Sequence, residues 1–237
     1  MTQLNHFGQP VGDELPGWQP RELPQRIQLN GRFCHLEPLS VERHSKELFD
    51  AWHAIDDGRD WTYFAVERPA TQAECDAYIT ANAASKDPLF YAVVDNATQR
   101  TIGSVALMRI DPVNGVIEIG WVNWSPLMKR SSHSTEAIYL LLKYVFDGLN
   151  YRRCEWKCHS LNAPSSAAAK RFGFEYEGTF RQAIVTKGRN RDTQWFSMLD
   201  SEWPERKAEL EQWLSADNYD ADGQQKQRLE AFRKESV

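Results

Sequence analysis

An α+β fold is predicted by three features of this 237-residue sequence. Segments with the period of a strand alternate with segments that have the period of a helix. In the middle of the chain, the turn sequences 95–98 and 111–115 join three consecutive strand segments, which indicates an antiparallel meander. The segment Ser134 to Leu149 then carries apolar residues spaced by three and four, as in an amphipathic helix. We therefore expect a mostly antiparallel sheet flanked by helices.

The remaining segments complete this order of elements. Alternating or β-branched residues predict strands at residues 32–39, 89–94, 101–110, 116–123, 152–158, 179–187 and 191–199. Apolar periodicity predicts helices at 41–54, 72–84, 134–149, 163–172 and 201–215. Ser40 and Asn162 are expected to cap two of these helices, and Thr71 with Glu74 forms a capping box for a third.

Three regions are distinguished along the chain. Residues 1–26 are rich in Gly and Pro, which excludes a regular helix or a central strand. We interpret them as an arm lying on the domain, with a disordered leader as the alternative. Residues 27–200 form the predicted domain, and residues 201–237 a polar C-terminal extension of helical character.

Composition narrows the class of protein. Hydrophobic residues make up 41% and charged residues 26%, as in soluble globular proteins. The net charge of -5 gives no basic excess, so no nucleic-acid partner is expected. The longest apolar run, Ala137 to Phe146, is interrupted by Lys143 and is about half the roughly 20 residues of a membrane span. Met1 to Pro10 has no apolar signal core, which favours a cytoplasmic location without a membrane partner.

The four cysteines, Cys34, Cys75, Cys154 and Cys158, do not form the pattern of a disulfide framework. Cys154 and Cys158 are separated by three residues and are not followed by a second pair, so we expect no metal site. A metal or redox protein built on these two cysteines is a cruder alternative, and it predicts bound metal.

A possible phosphate-binding turn lies between a strand and the long helix. The strand from Glu118 runs into the loop Lys129-Arg-Ser-Ser-His-Ser134, which opens the helix. The first N–H groups of a helix have no internal partner and carry partial positive charge, so they suit a pyrophosphate. An ordinary helix cap by Ser134 or Thr135, with Lys129 and Arg130 solvated, is the alternative reading.

Several short motifs in a fixed order resemble one enzyme family. They are Glu118-Ile-Gly, Thr135-Glu-Ala, the spacing Asn162 to Ser165, Gly173-Phe, and Glu177-Gly followed by Arg181-Gln. Together they resemble the GNAT acetyltransferases, and within them the Rim-type ribosomal-protein N-terminal acetyltransferases. The resemblance covers about residues 32–200. It implies the GNAT fold with a mixed, mostly antiparallel sheet of about seven strands flanked by helices, and acetyl-CoA as co-substrate.

The resemblance also implies where the co-substrate binds. The strand through Val122 separates from its neighbour near residue 154, and pantetheine lies in the gap while the loop 129–134 surrounds the pyrophosphate. A backbone N–H near Val122 would hold the oxyanion, and Asn162 would bind pantetheine. The cofactor-binding residues implied in this way are Trp121, Val122, Asn123, Lys129, Arg130, Ser131, Ser132, His133, Ser134, Thr135 and Asn162.

The sequence departs from the family pattern in its phosphate loop and at its catalytic positions. Ser132 and Ser134 replace two glycines of the phosphate loop, and a serine is small enough for close backbone approach. Ala169 replaces a tyrosine that protonates the thiolate in many members, so Ser165, which matches a Rim-type serine, is expected to take that role. The alternative for Ser165 is a serine in the first turn of a helix that only satisfies the backbone. For His133 we expect a solvated side chain on the helix surface.

The general base must also come from another position, because Ile184 replaces the Rim-type glutamate. Glu118 is the first candidate, acting through water, with a paired strand residue as its alternative. Asp192 is the second, and an ion pair with Arg191 or Arg181 is its alternative.

The resemblance implies that the acceptor binds beside an aromatic and acidic loop. Trp61, Tyr63 and Phe64 lie there with Asp56, Asp57 and Asp60, a combination that suits a cationic amine. Core aromatic residues beside a solvated acidic turn are the alternative. With Asp192, the three aromatic residues form the predicted acceptor-binding set.

Two classes of function follow. The first is acetyl transfer from acetyl-CoA to a primary amine, a protein N-terminus or a small molecule, by direct attack and without a metal. The second is a CoA-binding or sensory module that kept the fold and lost the base, which Ala169 and Ile184 favour. The resemblance leaves a homodimer open.

Overall fold

A computed structural model of the chain describes residues 3–233. An eight-stranded sheet forms its centre, with the strand order β3-β4-β5-β6-β7-β8-β10-β9, and a two-stranded hairpin of β1 and β2 lies outside it. The strands are β1 Gln3–Leu4, β2 Pro10–Val11, β3 Leu29–Asn30, β4 Cys34–Pro38, β5 Leu89–Asp95, β6 Thr101–Asp111, β7 Val116–Trp124, β8 Arg153–His159, β9 Glu175–Thr186 and β10 Arg189–Leu199.

Within the described part of the chain, only β7 and β8 pair in parallel, and every other neighbouring pair in the large sheet is antiparallel. The mixed, mostly antiparallel α+β sheet predicted from the sequence is therefore confirmed. It has eight strands rather than about seven, because the short β3 adds to the edge at β4. Strand β9 also begins at Glu175, four residues before the predicted start at 179.

Helices cover both faces of the sheet. They are α1 Val41–Trp52, α2 Gln72–Ala84, α3 Ser132–Lys143, α4 Ala163–Arg171 and α5 Trp203–Leu214. Helices α1 and α2 pack on one face through a core that includes Leu48, Trp52 and Ile79. Helices α3, α4 and α5 pack on the other face through a larger core around Ile138, Trp156 and Phe196. No helix within residues 3–233 is long and apolar enough to cross a membrane.

The helix ends differ in part from the prediction. Asn162 and Thr71 accept hydrogen bonds from the N–H groups of Ser165 and Glu74, as capping residues do. Ser40 holds the N-cap position, but its hydroxyl donates to Glu42 Oε2 and accepts no N–H group. Helix α3 starts at Ser132, and its last turns, 144–148, widen into a π-helix.

The N-terminal arm contacts the domain from Trp18 onward. Trp18 Nε1 donates to the carbonyl of Val113 at 3.0 Å, in the β6–β7 turn. Tyr151 donates its hydroxyl proton to the carbonyl of Glu22 at 3.1 Å. These two hydrogen bonds fix the arm against the domain.

The C-terminal extension is not a continuous helix, which corrects the prediction for 201–237. Helix α5 ends at Leu214, and only short 3-10 turns follow, at Ala216–Asn218 and Leu229–Phe232. The Asn218 side chain donates to the carbonyl of Trp213 and accepts from the N–H of Gln227. Such side-chain bonds to nearby backbone compete with helix formation. Residues 234–237 of the predicted extension lie outside the described residues.

Candidate active site

A gap opens in the sheet where β7 and β8 separate. Their parallel register runs from Val116 with Arg153 to Glu118 with Glu155 and ends there within the described chain. Strand β7 continues to Trp124 and β8 to His159. The edge of β7 after Glu118 therefore presents backbone N–H and C=O groups to the gap. The sequence placed this separation near residue 154, one residue from the last pair.

A β-bulge re-aims the backbone of β7 inside the gap. Trp121 has φ +49, and the register with β6 shifts between Ser104 and Ala106. Positive φ at a tryptophan is a strained conformation that surrounding contacts must hold. The Trp121 ring stacks on Phe64 at 5.8 Å and contacts Phe90 at 5.9 Å. The bulge is thus fixed by the α1–α2 side of the protein.

The turn before α3 is held by its own serine hydroxyls. Ser131 Oγ donates to the carbonyl of Met128 at 2.8 Å, and Ser134 Oγ donates to the carbonyl of Ser131 at 2.9 Å. Arg130 has φ +59, so the chain turns sharply without the family's glycine. The N–H groups of Ser132, His133 and Ser134 have no intrahelical acceptor, because they lie in the first turn. They form a site of partial positive charge.

The polar side chains around this turn have partners that the sequence did not reveal. Lys129 forms an ion pair with Asp60. His133 is not solvated as predicted: its Nε2 lies 3.1 Å from Asp95 Oδ1, and its Nδ1 is buried without a partner in residues 3–233. Thr135 is fully buried and accepts from Arg171 Nη1 at 3.0 Å, so it does not cap the helix.

Ser165 lies in the first turn of α4, beside the gap. Its backbone N–H donates to Asn162 Oδ1 at 3.3 Å, so Asn162 fixes the start of the helix. Its Oγ accepts a hydrogen bond from Trp156 Nε1 at 3.0 Å. Because Oγ is the acceptor in this bond, its own proton is available to another group.

Glu118 is the last β7 residue paired with β8, and it is 4% exposed. Its Oε2 lies 2.9 Å from Lys157 Nζ and 3.1 Å from Arg109 Nε. Burial raises the pKa of the Glu118 carboxyl, whereas Lys157 and Arg109 act in the opposite direction. A Cβ added at Gly120 would lie 3.4 Å from Oε1, so this oxygen lies close to the residue two positions further along β7.

The ion pairs of Glu118 continue across β8 and β9. Lys157 also lies 2.7 Å from Glu155 Oε2, and Arg153 bridges Glu155 at 2.8 Å to Glu177 at 2.5 Å. Oε2 of Glu118 is thus held in ion pairs, whereas Oε1 lies outside them.

Asp192 does not form the predicted ion pair. Its Oδ1 accepts from the N–H of Gln182 at 2.7 Å and from Asn190 Nδ2 at 2.9 Å. The hydrogen bonds from Gln182 and Asn190 lower the pKa of Asp192. These bonds hold a bulge between β9 and β10, where Gln182 has φ +51. Asp192 thus holds the β9–β10 hairpin through these bonds, and a lowered pKa makes it a weaker base.

The predicted acceptor loop divides into core and accessible aromatic residues. Trp61 is 2% exposed and packs edge-on against Trp52 at 5.0 Å, so it belongs to the core. Tyr63 and Phe64 are half-buried. Tyr63 packs against the His159 ring at 5.3 Å and donates to the carbonyl of Leu161 at 2.9 Å, so this loop closes over the end of β8.

Three acidic residues of this loop form ion pairs with basic residues of the same chain. Asp57 pairs with Arg59 at 2.5 Å, Asp60 pairs with Lys129, and Glu67 pairs with Lys187 at 3.0 Å. The expected acidic attraction for a cationic amine is therefore reduced at Asp57 and Asp60. Lys187 lies at the tip of the β9–β10 hairpin and also donates to the carbonyl of Trp61. Sequence reasoning missed this closure, because nothing in the local pattern relates residues 61 and 187.

The four cysteine thiols are free and buried. Burial raises the thiol pKa of Cys154 and Cys158, so neither is a thiolate at neutral pH. Within residues 3–233, no three His, Cys, Asp or Glu side chains are grouped so that they could hold a metal ion.

Comparison with known proteins identifies the family. Residues 35–175 match the family model described as an acetyltransferase (GNAT) domain, so the chain belongs to the GNAT family, whose members use acetyl-CoA. It is 50% identical to a GCN5-related N-acetyltransferase from Brucella melitensis, with a TM-score of 0.90 over 92% of this chain and 99% of that chain. A GNAT-family structure from Chromobacterium violaceum is 39% identical, with a TM-score of 0.77 over 83% of this chain and 98% of that chain.

The curated relatives agree with this assignment over a shorter range. YdaF of Bacillus subtilis, which carries a provisional ribosomal N-acetyltransferase name, is 30% identical over 43% of this chain and 55% of its own length. The chain spans 63%, 50% and 55% of the first three curated relatives it matches. The sequence-based prediction of a GNAT acyltransferase is confirmed.

Proposed function

We propose that the chain transfers the acetyl group of acetyl-CoA to a primary amine by direct attack. The observation that carries this proposal is the gap between β7 and β8, which has the free edge of β7 on one side and the Ser165 hydroxyl close by. A thioester placed in such a gap has a backbone donor at its carbonyl and a hydroxyl donor at its sulfur.

The residues at the gap fit acetyl-CoA. The side-chain Nδ2 of Asn123 and the hydroxyl of Thr193 are both buried, and neither has a hydrogen-bond partner within residues 3–233. Orphaned polar groups of this kind are rare in proteins and indicate a missing partner. The unpaired edge after Glu118 suits the amides of pantetheine, and the first N–H groups of α3 suit its pyrophosphate.

Each proposed binding residue has a place in this arrangement. Trp121, Val122 and Asn123 would contact pantetheine and the thioester carbonyl, and Asn162 would stand at its far side. The turn would hold the pyrophosphate through Lys129, Arg130, Ser131, Ser132, His133 and Ser134, while Thr135 supports the helix from inside. Backbone donors fixed before the reaction stabilise an oxyanion most effectively.

The reaction forms one bond and breaks another. The lone pair of a neutral amine attacks the thioester carbonyl carbon, and the oxyanion accepts a hydrogen bond from the β7 backbone near Val122. The nitrogen loses its proton to a base, the C–S bond breaks, and the sulfur leaves as a thiolate. Ser165 donates a hydrogen bond to that sulfur as its charge develops.

Glu118 is the proposed base, acting through a water molecule. Its pKa is raised by burial, which makes its carboxylate a stronger base than an exposed one. Lys157 and Arg109 hold Oε2, which leaves Oε1 outside these ion pairs. Tyr63 and Phe64 would then border the acceptor amine.

The Rim-type resemblance and the provisional name of YdaF favour a protein N-terminus as the acceptor, and Ile184 in place of a glutamate favours a small-molecule amine. The test is thiol release from acetyl-CoA with a panel of N-terminal peptides and small amines, with acetylated product identified by mass. Turnover of any amine supports the enzyme. Tight CoA binding with no turnover on the whole panel supports a silent CoA-binding module.

A further inference from the structure

Arg191 is a half-buried cation at the acceptor side of the gap. It lies on β10, next to the bulge at Asp192, whose carbonyl accepts from the N–H of Ser160 at 2.9 Å. That bond ties the residue after Arg191 to Ser160, which directly follows the end of β8. Its Nε is completely buried.

Among the residues that the structure describes, the guanidinium of Arg191 has no counter-ion in contact with it. None of the carboxylates in residues 3–233 forms an ion pair with it, and its Nε has no hydrogen-bond partner there. The residue directly opposite on β9 is Ile184, which offers no polar atom. The carboxylate of neighbouring Asp192 is occupied by Gln182 and Asn190. A half-buried charge whose buried Nε has no partner is costly, so such a group points to a ligand.

The groups around Arg191 define the same site as the proposed reaction. Burial lowers the pKa of Arg191, the Cys158 thiol and Glu118 act against this shift, and Arg109 adds to it. Arg191 also contributes, after burial, to the lowered pKa of His159. Glu118 itself is held by Lys157 and Arg109. Lys157 and Arg109 therefore have Glu118 as a partner, whereas Arg191 forms no ion pair within residues 3–233.

His159 adds a neutral donor on the same side. Its Nδ1 accepts from the N–H of Leu161 at 3.1 Å, so the neutral ring carries its proton on Nε2. A lowered pKa keeps this ring neutral. Its Nε2–H can donate to an oxygen of a ligand and cannot act as a base.

We infer that Arg191 binds a carboxylate of the acceptor, so that the preferred substrate is a primary amine that also carries an acidic group. A guanidinium binds a carboxylate through two parallel hydrogen bonds, which suits this planar, half-buried side chain. The carboxylate is that of a free amino acid or of an acidic side chain near a peptide N-terminus. This inference rests on the proposed acetyl transfer at the same site.

The test compares matched acceptors that differ only in charge. The peptide pair carries Asp or Asn at the second position, and the small-molecule pair is β-alanine and its amide, with rates expressed per neutral amine. We expect the wild-type kcat/KM to favour the acidic member of at least one pair by about tenfold or more. The pair that shows the preference distinguishes the two sources of the carboxylate.

Substitution of Arg191 should remove this preference. Arg191→Gln should raise KM for the acidic acceptors about tenfold, with kcat, the neutral acceptors and the Kd of CoA within about twofold. Arg191→Lys should restore part of the preference, because it keeps the charge and loses the bidentate geometry. Arg181→Gln, an exposed arginine on β9, is the matched control and should leave the preference intact.

A binding measurement keeps this inference separate from the proposed reaction. The N-acetylated forms of the same pairs cannot react, and their affinity for the CoA-bound protein is measured by calorimetry. A charge preference that depends on Arg191, without turnover of any amine, would reject the proposed reaction and keep the carboxylate site. The inference is overturned if acidic and neutral acceptors have equal kcat/KM and their acetylated forms have equal affinity. It is also overturned if the Arg191 and Arg181 variants behave identically.

Discussion

The indole Nε1 of Trp156 donates a hydrogen bond to Ser165 Oγ at 3.0 Å. Trp156 is 3% exposed, and its ring is held between Phe172 at 6.1 Å and Phe174 at 5.9 Å. A fixed donor at Oγ orients the hydroxyl group and makes its proton available to a second acceptor. In the proposed reaction, this bond allows a first-turn helix serine to serve the leaving sulfur, although its backbone N–H is used by Asn162.

Ser165→Ala should lower kcat about 10- to 100-fold and change the Kd of acetyl-CoA by less than about threefold. The variant removes a hydrogen bond that strengthens as charge develops on sulfur, and this bond is weak in the ground state. Steady-state kinetics combined with calorimetric binding of acetyl-CoA measures both quantities.

Two further variants serve as controls for this result. Ser166→Ala removes the adjacent α4 hydroxyl, which makes no comparable bond to Trp156, and should keep full activity. Trp156→Phe removes the orienting donor and should give a smaller loss than Ser165→Ala. An unchanged kcat in Ser165→Ala excludes Ser165 from the mechanism.

Glu118→Gln should remove one ionisation from the acid limb of the pH profile and lower the plateau of kcat/KM about 100-fold. A base acts only when it has lost its proton, so the wild-type rate rises as pH passes the pKa of Glu118, which burial raises. Measuring the profile with acceptors of different amine pKa distinguishes the ionisation of the enzyme from that of the substrate.

The control for this variant is Glu155→Gln. Glu155 pairs with the same Lys157, at 2.7 Å, but lies on β8 rather than on the open strand. Its loss should disturb the ion pairs and leave the ionisation of Glu118 in the profile. A profile that is identical in Glu118→Gln and in the wild type shows that solvent or another group is the base.

Local patterns predicted most of the fold. Strand alternation, the apolar spacing of the helices and the caps Thr71 and Asn162 depend on neighbours in sequence, and these features agree with the structure. The prediction of a helical tail after Leu214 was wrong, because the hydrogen bonds of Asn218 with Trp213 and Gln227 replace helix hydrogen bonds. A polar sequence does not reveal which side-chain bonds will form.

The candidate site was less predictable, because its partners are distant in sequence. The positions of Ser165 and Glu118 followed from motif spacing, but their partners Trp156, Lys157 and Arg109 depend on strand register. Arg191 was considered only as a partner for Asp192. Its lack of a counter-ion appears when the strands around it are in place.

Asp60→Asn should tighten CoA binding two- to fivefold. Asp60 pairs with Lys129 at the entrance of the turn before α3, where both side chains are partly exposed, and the pair competes with a phosphate for the same ammonium group. An exposed pair is worth about 0–1 kcal/mol, which limits the gain. The gain should shrink at high salt, because screening weakens the phosphate contact.

Calorimetry of CoA binding at two salt concentrations checks this prediction. Asp57→Asn is the matched control, since Asp57 pairs with Arg59 in the same loop rather than with the turn. Weaker or unchanged binding by Asp60→Asn would show that Lys129 does not contact the phosphates, or that Asp60 is needed to hold the loop.

Glu136→Gln should lower the free energy of unfolding by about 2–4 kcal/mol. The buried carboxylate of Glu136 on α3 accepts from the N–H groups of Arg32, Phe33 and Cys34 at 2.7, 2.7 and 2.8 Å. A glutamine turns an NH₂ group toward these donors, and each buried donor left without an acceptor costs about 1–3 kcal/mol.

Urea unfolding at constant pH measures this loss, with Glu211→Gln as the control. Glu211 also accepts one hydrogen bond, from Tyr139, but it is exposed, so its substitution should cost less than about 1 kcal/mol. Gly31→Ala should reproduce the loss, because its Cβ would lie 2.4 Å from Glu136 Cδ. Equal stability of Glu136→Gln and Glu211→Gln would show that the β3–β4 turn does not anchor α3.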